Sequence, residues 1–245
     1  MSGLAIDEFR HIFFDLTENW SWEVQGFIDS NSFVHPIDSD TKVISTVFER
    51  MAAPALRSIA TKFGYRVELA NQTTYPDFTI TNEMTSHRIA LDIKTTYVRN
   101  RMVFTLGGYN SFLRNNTKNI LYPYNTYRDH WILGFVYRQL DSFTEYDLDN
   151  LPKAGDISCP YKVETVFIRE KHELCGLQAG SGNTKNIGSF VGLKPRDFEH
   201  GVGPFGAFAS AKEACDFYWA NYETYYLAIR SVDQLLSHAD FERFK

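Results

Sequence analysis

Pro76-Asp77 stands fifteen positions before the acid of Asp92-Ile93-Lys94, and these two carboxylates and one amine are the side chains best suited to chemistry on a phosphate. In the run Ile89-Ala90-Leu91-Asp92-Ile93-Lys94-Thr95-Thr96, the apolar residues Ile89, Leu91 and Ile93 alternate with Ala90, Asp92, Lys94 and Thr96. A strand's period of two therefore puts Asp92 and Lys94 on one face. Asp77 opens the preceding strand-type run, so a hairpin of the two runs gathers two oxygen ligands and one cation. Hard divalent cations such as magnesium take one or two carboxylates together with phosphate oxygens, and an ammonium beside them stabilises an anionic transition state or assists proton transfer. This is the layout of a phosphodiesterase. The plainer reading is that D-x-K on the polar face of an amphipathic strand is two solvated charges. Pro-Asp at the neighbouring strand start favours the chemical reading, because proline tolerates that position but removes a ladder donor inside a sheet.

The elements that must position these groups follow from periodicity. Phe9, Ile12, Phe13 and Leu16 recur at helical spacing and predict a helix over about residues 4 to 17. A second helix follows Ser39-Asp40, with a core stripe of Ile44, Val47, Phe48, Met51, Ile59 and Phe63, a kink at Pro54, and Gly64 as a left-handed cap. Glu49 lies on the flank of that stripe. Tyr65 to Leu69, Phe78 to Thr81 and Ile89 to Thr96 read as strands, whereas His130 to Leu140 and Val163 to Ile168 suit either a helix or a strand. Ser210-Ala211-Lys212-Glu213 has capping-box spacing ahead of an aromatic helix carrying Phe217, Tyr218, Tyr222 and Tyr225, which are packing groups rather than base-stacking ones. Pro152 to Asp156 reads as a loop inside the domain. Helices enclosing a sheet are implied, in one domain over residues 1–245.

Composition narrows the function. With 245 residues, 44% of them hydrophobic and 16% aromatic, the chain can bury one substantial core. No stretch approaches the roughly 20 apolar residues of a membrane helix. The acidic start, with Asp7 and Glu8, lacks the basic opening of a secretory signal, so the expected location is the cytoplasm. Cys159, Cys175 and Cys215 contain no C-x-x-C pair and support neither a disulfide framework nor a zinc knuckle. Asn71-Gln72-Thr73 and Asn115-Asn116-Thr117 match the glycosylation pattern, which has no consequence without export. A net charge of −5 argues against broad electrostatic attraction to a polyanion but not against a local cleft that needs divalent cations.

A second constellation is Ala179-Gly180-Ser181-Gly182-Asn183-Thr184-Lys185-Asn186-Ile187-Gly188-Ser189, dense in glycine, amide and hydroxyl groups and expected to be an exposed polar loop. It fails both the Walker and the G-x-G-x-x-G patterns, which argues against a nucleotide cofactor. Glycines let a backbone approach base edges, Asn pairs bidentately with adenine in the major groove, and a Thr methyl contacts a thymine methyl. The alternative is an ordinary flexible turn.

Together these residues resemble the type II restriction endonucleases of the PD-(D/E)XK nuclease superfamily. The resemblance rests on Ser39-Asp40-Thr41-Lys42-Val43, Tyr75-Pro76-Asp77-Phe78-Thr79, Asp92-Ile93-Lys94-Thr95-Thr96-Tyr97, Phe104-Thr105-Leu106-Gly107-Gly108-Tyr109, Arg114-Asn115-Asn116-Thr117-Lys118-Asn119 and Ala179-Gly180-Ser181-Gly182-Asn183-Thr184, in order across about residues 39 to 190. Both ends of the chain match more weakly. The resemblance implies an α/β restriction-endonuclease-like fold: a central mixed β-sheet flanked by helices, with a small dimerisation subdomain, a catalytic core over about 39–140, a DNA-recognition loop over about 179–189 and a C-terminal helical region over about 208–245.

For the site, the resemblance implies that Asp77 and Asp92 ligate magnesium, that Lys94 completes the catalytic motif, and that Glu49 is an auxiliary acidic residue near a further metal position. Base recognition falls on Gly180, Gly182, Asn183 and Thr184, and the minor-groove loop on Asn71, Gln72 and Thr73. The family carries consecutive glutamines where this chain has Asn71-Gln72. Thr95, Thr105, Ser111, Asn116 and Lys118 become phosphate contacts, which orient a duplex without reading it. The implied activity is magnesium-dependent hydrolysis of double-stranded DNA at GATATC by a homodimer, leaving blunt ends with 5′-phosphates. A symmetric dimer reads a palindrome, and the central TA step kinks easily. Two rivals stand beside this reading. A repair or junction-resolving nuclease of the same superfamily is disfavoured by the loop at 179–186, and a catalytically silent DNA-binding protein is disfavoured by the intact Asp77, Asp92 and Lys94. A serine or zinc hydrolase finds neither G-x-S-x-G nor H-E-x-x-H in the chain.

Overall fold

The computed structural model describes residues 4–71, 73–141, 152–180 and 186–245. Its centre is a five-stranded mixed sheet of β3 (Tyr65–Leu69), β4 (Phe78–Asn82), β5 (Arg88–Tyr97), β7 (Tyr127–Gln139) and β8 (Tyr161–Glu170), in the order β3-β4-β5-β7-β8. Only β5 and β7 run parallel; the other neighbours are antiparallel. Two small two-stranded sheets stand outside it: β1 (Gly26–Ile28) with β2 (Val34–Pro36), and β6 (Thr105–Gly108) with β9 (Asn186–Gly188).

One face of the sheet is covered by α1 (Ile6–Thr17) and α2 (Thr41–Lys62). Asp40 caps α2 by accepting from the amides of Lys42 and Val43, which satisfies two donors that a helix start leaves free. The helix runs through Pro54 to Lys62, and Gly64 follows at φ 70°. Ile44, Phe48 and Ile59 of α2 pack with Ile89, Leu91 and Ile93 of β5 and with Trp131, Leu133, Phe135 and Tyr137 of β7. Phe48 and Phe135 stack with centroids 4.3 Å apart.

The opposite face is covered by the shorter helices α3 (Lys171–Leu174), α4 (Asp197–His200), α5 (Ala211–Ala220), α6 (Tyr222–Tyr225) and α7 (Val232–Ser237). There Ile132, Val136 and Phe167 pack with Tyr218, Trp219, Tyr222 and Tyr225, so the C-terminal aromatics are core groups as expected. Because β7 sends its odd residues to one core and its even residues to the other, it is apolar on both faces.

Two expectations are corrected. Ser210 precedes α5, but its side chain makes no capping hydrogen bond. The capping box forms instead at α3, where Glu170 and Glu173 satisfy each other's backbone amides. The polar segment at 179–189 is not loop throughout: its end, Asn186–Gly188, is β9, because Ile187 is apolar enough to be buried against β6 and its neighbours. No helix among the described residues is long and apolar enough to cross a membrane.

Candidate active site

The register of the β4–β5 hairpin pairs Phe78 with Leu91, which sets Asp77, one residue before β4, beside Asp92, one residue beyond Leu91. Asp77 follows the cis Tyr75–Pro76 peptide and accepts the backbone amide of Ile93 on Oδ2 at 2.6 Å. Asp92 is 3% exposed and forms an ion pair through Oδ2 with Lys94, whose side chain is 21% exposed on the same face of the strand. The two carboxylates and the amine are thus brought together as the spacing predicts.

Charge in this cluster is unbalanced. Burial, and then the negative charge of Asp92, push the Asp77 carboxyl up to about 7, against the pull of Lys94 and the Ile93 amide. For Lys94, burial works to lower the pKa, but Asp92, Asp77, the hydrogen bond to Asp92 and Glu49 together raise it above its usual value. Glu49, partly buried on α2, contributes its charge to both groups. Among the described residues it does not join the two aspartates in a three-ligand cluster. The donor set fits a hard divalent cation: it is all oxygen, two carboxylates crowd one poorly solvated spot, and a single ammonium leaves them short of neutralisation.

Beyond Lys94, the strand leads into an open polar groove of about 550 Å³ lined by Thr95, Thr96, Arg99, Thr105, Lys42 and Ser45, among others. Thr95 and Thr105, both expected phosphate contacts, share it. Lys42 and Arg99 supply its positive charge and were not singled out from the sequence; the signal for Lys42 lay in the Ser39-to-Val43 block.

The remaining predicted residues lie around this centre. Ser111 sits in a single π-helical turn, Tyr109–Leu113, with Oγ donating to Gly108 O at 3.0 Å. The side-chain amide of Asn116 is committed within the chain, donating to Asn125 Oδ1 at 2.8 Å and accepting the Asn125 amide at 3.0 Å. Lys118, Asn71 and Thr73 are exposed, whereas Gln72 falls outside the described residues. Gly180 donates to Asn186 O at 3.0 Å, closing the two ends of the segment expected to recognise bases, and a Cβ there would lie 2.7 Å from Thr105 Cγ2. Gly182, Asn183 and Thr184 fall outside the described residues.

A family model and a curated relative point to one class. A family model described as restriction endonuclease EcoRV matches residues 18–245. The type II restriction enzyme EcoRV of Escherichia coli is 44% identical over 215 residues, 84% of this chain and 84% of that enzyme. Among solved structures, the NlaIV restriction endonuclease aligns over 95% of this chain and 94% of its own, at 11% identity and a TM-score of 0.46, a likeness too distant to bear on the site.

Proposed function

This chain belongs to the EcoRV restriction endonuclease family and is a type II site-specific deoxyribonuclease that binds DNA and works with a divalent metal ion; on that premise we propose that the ion is magnesium, that Asp77 and Asp92 hold it, and that the target is GATATC. The observation that carries this reading is the pairing of Asp77 with Asp92 across β4 and β5, with Lys94 on the same face.

When bound, magnesium supplies an acidified water and offsets negative charge on the scissile phosphate. The chain's own residues do the rest. Asp92, buried and ion-paired, gives a fixed oxygen ligand, and the Ile93 amide fixes the orientation of Asp77. The Lys94 ammonium points into the same space and stabilises the charge that builds on the phosphoryl oxygens. Glu49 adds negative charge at the edge of the site and serves a further metal position. Thr95, Thr105, Ser111, Asn116 and Lys118 hold the DNA backbone, with Lys42 and Arg99 adding charge along the groove. Gly180, Gly182, Asn183 and Thr184 read the outer base pairs from the major groove, and Asn71, Gln72 and Thr73 follow the minor groove.

Cutting both strands needs two copies of this single site, and a two-fold dimer matches a palindrome. The β1–β2 hairpin supports that assembly, since it exposes Phe27 at 52%, Ile28 at 74% and the adjoining Phe33 at 51%. Bending at the central TA step brings the scissile phosphate to Asp77 and Asp92, which couples recognition to cleavage and yields blunt ends with 5′-phosphates. The enzyme acts in the cytoplasm. The test is digestion of a sequenced plasmid with magnesium, followed by mapping of the ends. A discrete ladder ending at GAT/ATC is expected. A smear, or a ladder ending elsewhere, overturns the assigned target.

A further inference from the structure

Behind the Asp77 turn lies a buried charge that the reaction as described does not use. Lys171, the first residue of α3, is 4% exposed, and its Nζ makes no hydrogen bond with any described residue. It sits instead among three ring faces, 5.2 Å from the centroid of Tyr75, 4.8 Å from Phe112 and 5.3 Å from Tyr124. Burial lowers the Lys171 pKa while Cys175 and Asp216 pull it back up, and at such distances the negative faces of the rings favour the ammonium form.

The rings are themselves locked together. Tyr75 stacks on Phe112 at 4.5 Å, Phe112 on Tyr124 at 5.3 Å, and Tyr124 on His130 at 4.1 Å. Tyr75 Oη and His130 Nδ1 share a hydrogen bond of 2.8 Å, and Tyr124 Oη donates to Asp216 Oδ1 at 2.9 Å. Burial pushes the Asp216 carboxyl up, while Lys171 and the Tyr124 hydrogen bond draw it back. An acidic group therefore lies close to the cage, carried by α5.

Three of these four rings sit beside residues of the proposed site. Tyr75 is two residues before Asp77, and its backbone is pinned by Tyr75 N to Asn119 O at 3.0 Å and Leu121 N to Tyr75 O at 2.9 Å, next to the segment that carries Asn116 and Lys118. Phe112 adjoins Ser111 in the π-helical turn. His130 on β7 is the register partner of Ala90, which lies two residues before Asp92 on the same face of β5. One ammonium thus ties the Asp77 turn, the Asp92 strand and two backbone-contact segments to a single buried point.

We infer that Lys171 is a positioning residue for the cleavage reaction, holding Tyr75, and through it the Asp77 turn, in register with Asp92 by means of this cage. The inference rests on the assignment of Asp77 and Asp92 as the metal-holding pair. Lys171 touches neither the DNA nor the ion; it sets the separation and orientation of the two carboxylates.

The test uses the full-length enzyme and a duplex carrying the site mapped from plasmid digestion. Lys171→Met keeps an unbranched apolar side chain and removes the charge. A folded K171M should bind the duplex without metal as tightly as wild type, cleave on the order of a hundredfold more slowly in single turnover, the scale of a small misplacement of reacting groups, and need more magnesium for half-maximal rate. A purely structural lysine would lower only the melting temperature, so a folded K171M with wild-type rate and magnesium dependence overturns the inference. If K171M does not fold, Phe112→Leu removes one face of the cage and leaves the ammonium; a slower rate with a higher magnesium requirement supports the inference and wild-type values overturn it. Asp77→Asn, measured alongside, separates the two levels: cleavage at wild-type rate by D77N overturns the site assignment itself, whereas an inactive D77N with a wild-type K171M overturns only the role of Lys171.

Discussion

The backbone amide of Ile93 donates to Asp77 Oδ2 at 2.6 Å, so the strand that carries Asp92 and Lys94 also orients the carboxylate beside it. Two acidic groups from different strands are thereby fixed by one ladder, and a shift of register by a single residue would turn Asp92 and Lys94 to the other face of the sheet.

Lys94 is the only cation ion-paired with Asp92 among the described residues. Lys94→Met should fold, since the side chain reaches solvent, and should cleave on the order of 100-fold or more slowly, the range of a lost electrostatic contact in a reacting site. Single-turnover rates at saturating magnesium, with circular dichroism to confirm folding, check this. A wild-type rate would remove Lys94 from the mechanism.

The raised pKa of Asp77 sets a pH dependence with a definite sign. Without metal, the folded protein keeps a proton on this carboxyl up to about 7, whereas the unfolded chain releases it near 3.8. The folded state therefore holds its proton more tightly, and the stability contributed by this group is full below the lower value and lost as pH climbs toward about 7. A divalent cation must displace that proton, so magnesium affinity should rise with pH up to about 7 and then level off. Titration calorimetry across this range checks it; affinity that is flat with pH contradicts the protonated state of Asp77.

The neck of the proposed recognition segment leaves no room at Gly188, where a Cβ would lie 2.1 Å from Gln178 O. Gly188→Ala should pry Gln178 and Gly188 apart and misplace Asn183 and Thr184 while leaving the five-stranded sheet intact. Cognate cleavage is expected to fall with little change in melting temperature, and the ratio of cognate to near-cognate rates should fall with it. An unchanged ratio would separate the neck from specificity.

The exposed hairpin residue Ile28 makes a direct test of assembly. Ile28→Asp places a charge on the β1–β2 surface, and a dimer built there should dissociate, with light scattering reporting a mass near 28.3 kDa. Double-strand cutting should be lost together with the dimer. A dimer of undiminished stability would place the interface elsewhere.

The placement of the candidate site was legible because it is local: the alternation from Ile89 to Thr96 fixes which residues share a face, and the fifteen-residue spacing from Asp77 suits a hairpin. β7 could not be told from a helix, since Trp131, Leu133, Phe135 and Tyr137 enter one core and Ile132 and Val136 the other, which erases the period of two. The strands β1, β2, β6 and β9 are only three or four residues long and carry no periodicity to read. Ser210 had the right residue type and spacing, yet the capping box formed at Glu170 and Glu173, because capping depends on a backbone geometry that spacing alone does not specify. Lys171 was invisible for a further reason: its partners come from segments around residues 75, 112 and 124, and only the folded chain brings them together.

The most direct test of the central claim is single-turnover cleavage of a duplex carrying the mapped site by Asp92→Ala, measured beside wild type at saturating magnesium. The account predicts an unaltered fold by circular dichroism and a rate lower by on the order of 1,000-fold or more, since metal-ion catalysis supplies several kcal/mol of transition-state stabilisation. A folded Asp92→Ala that cuts at the wild-type rate would contradict it.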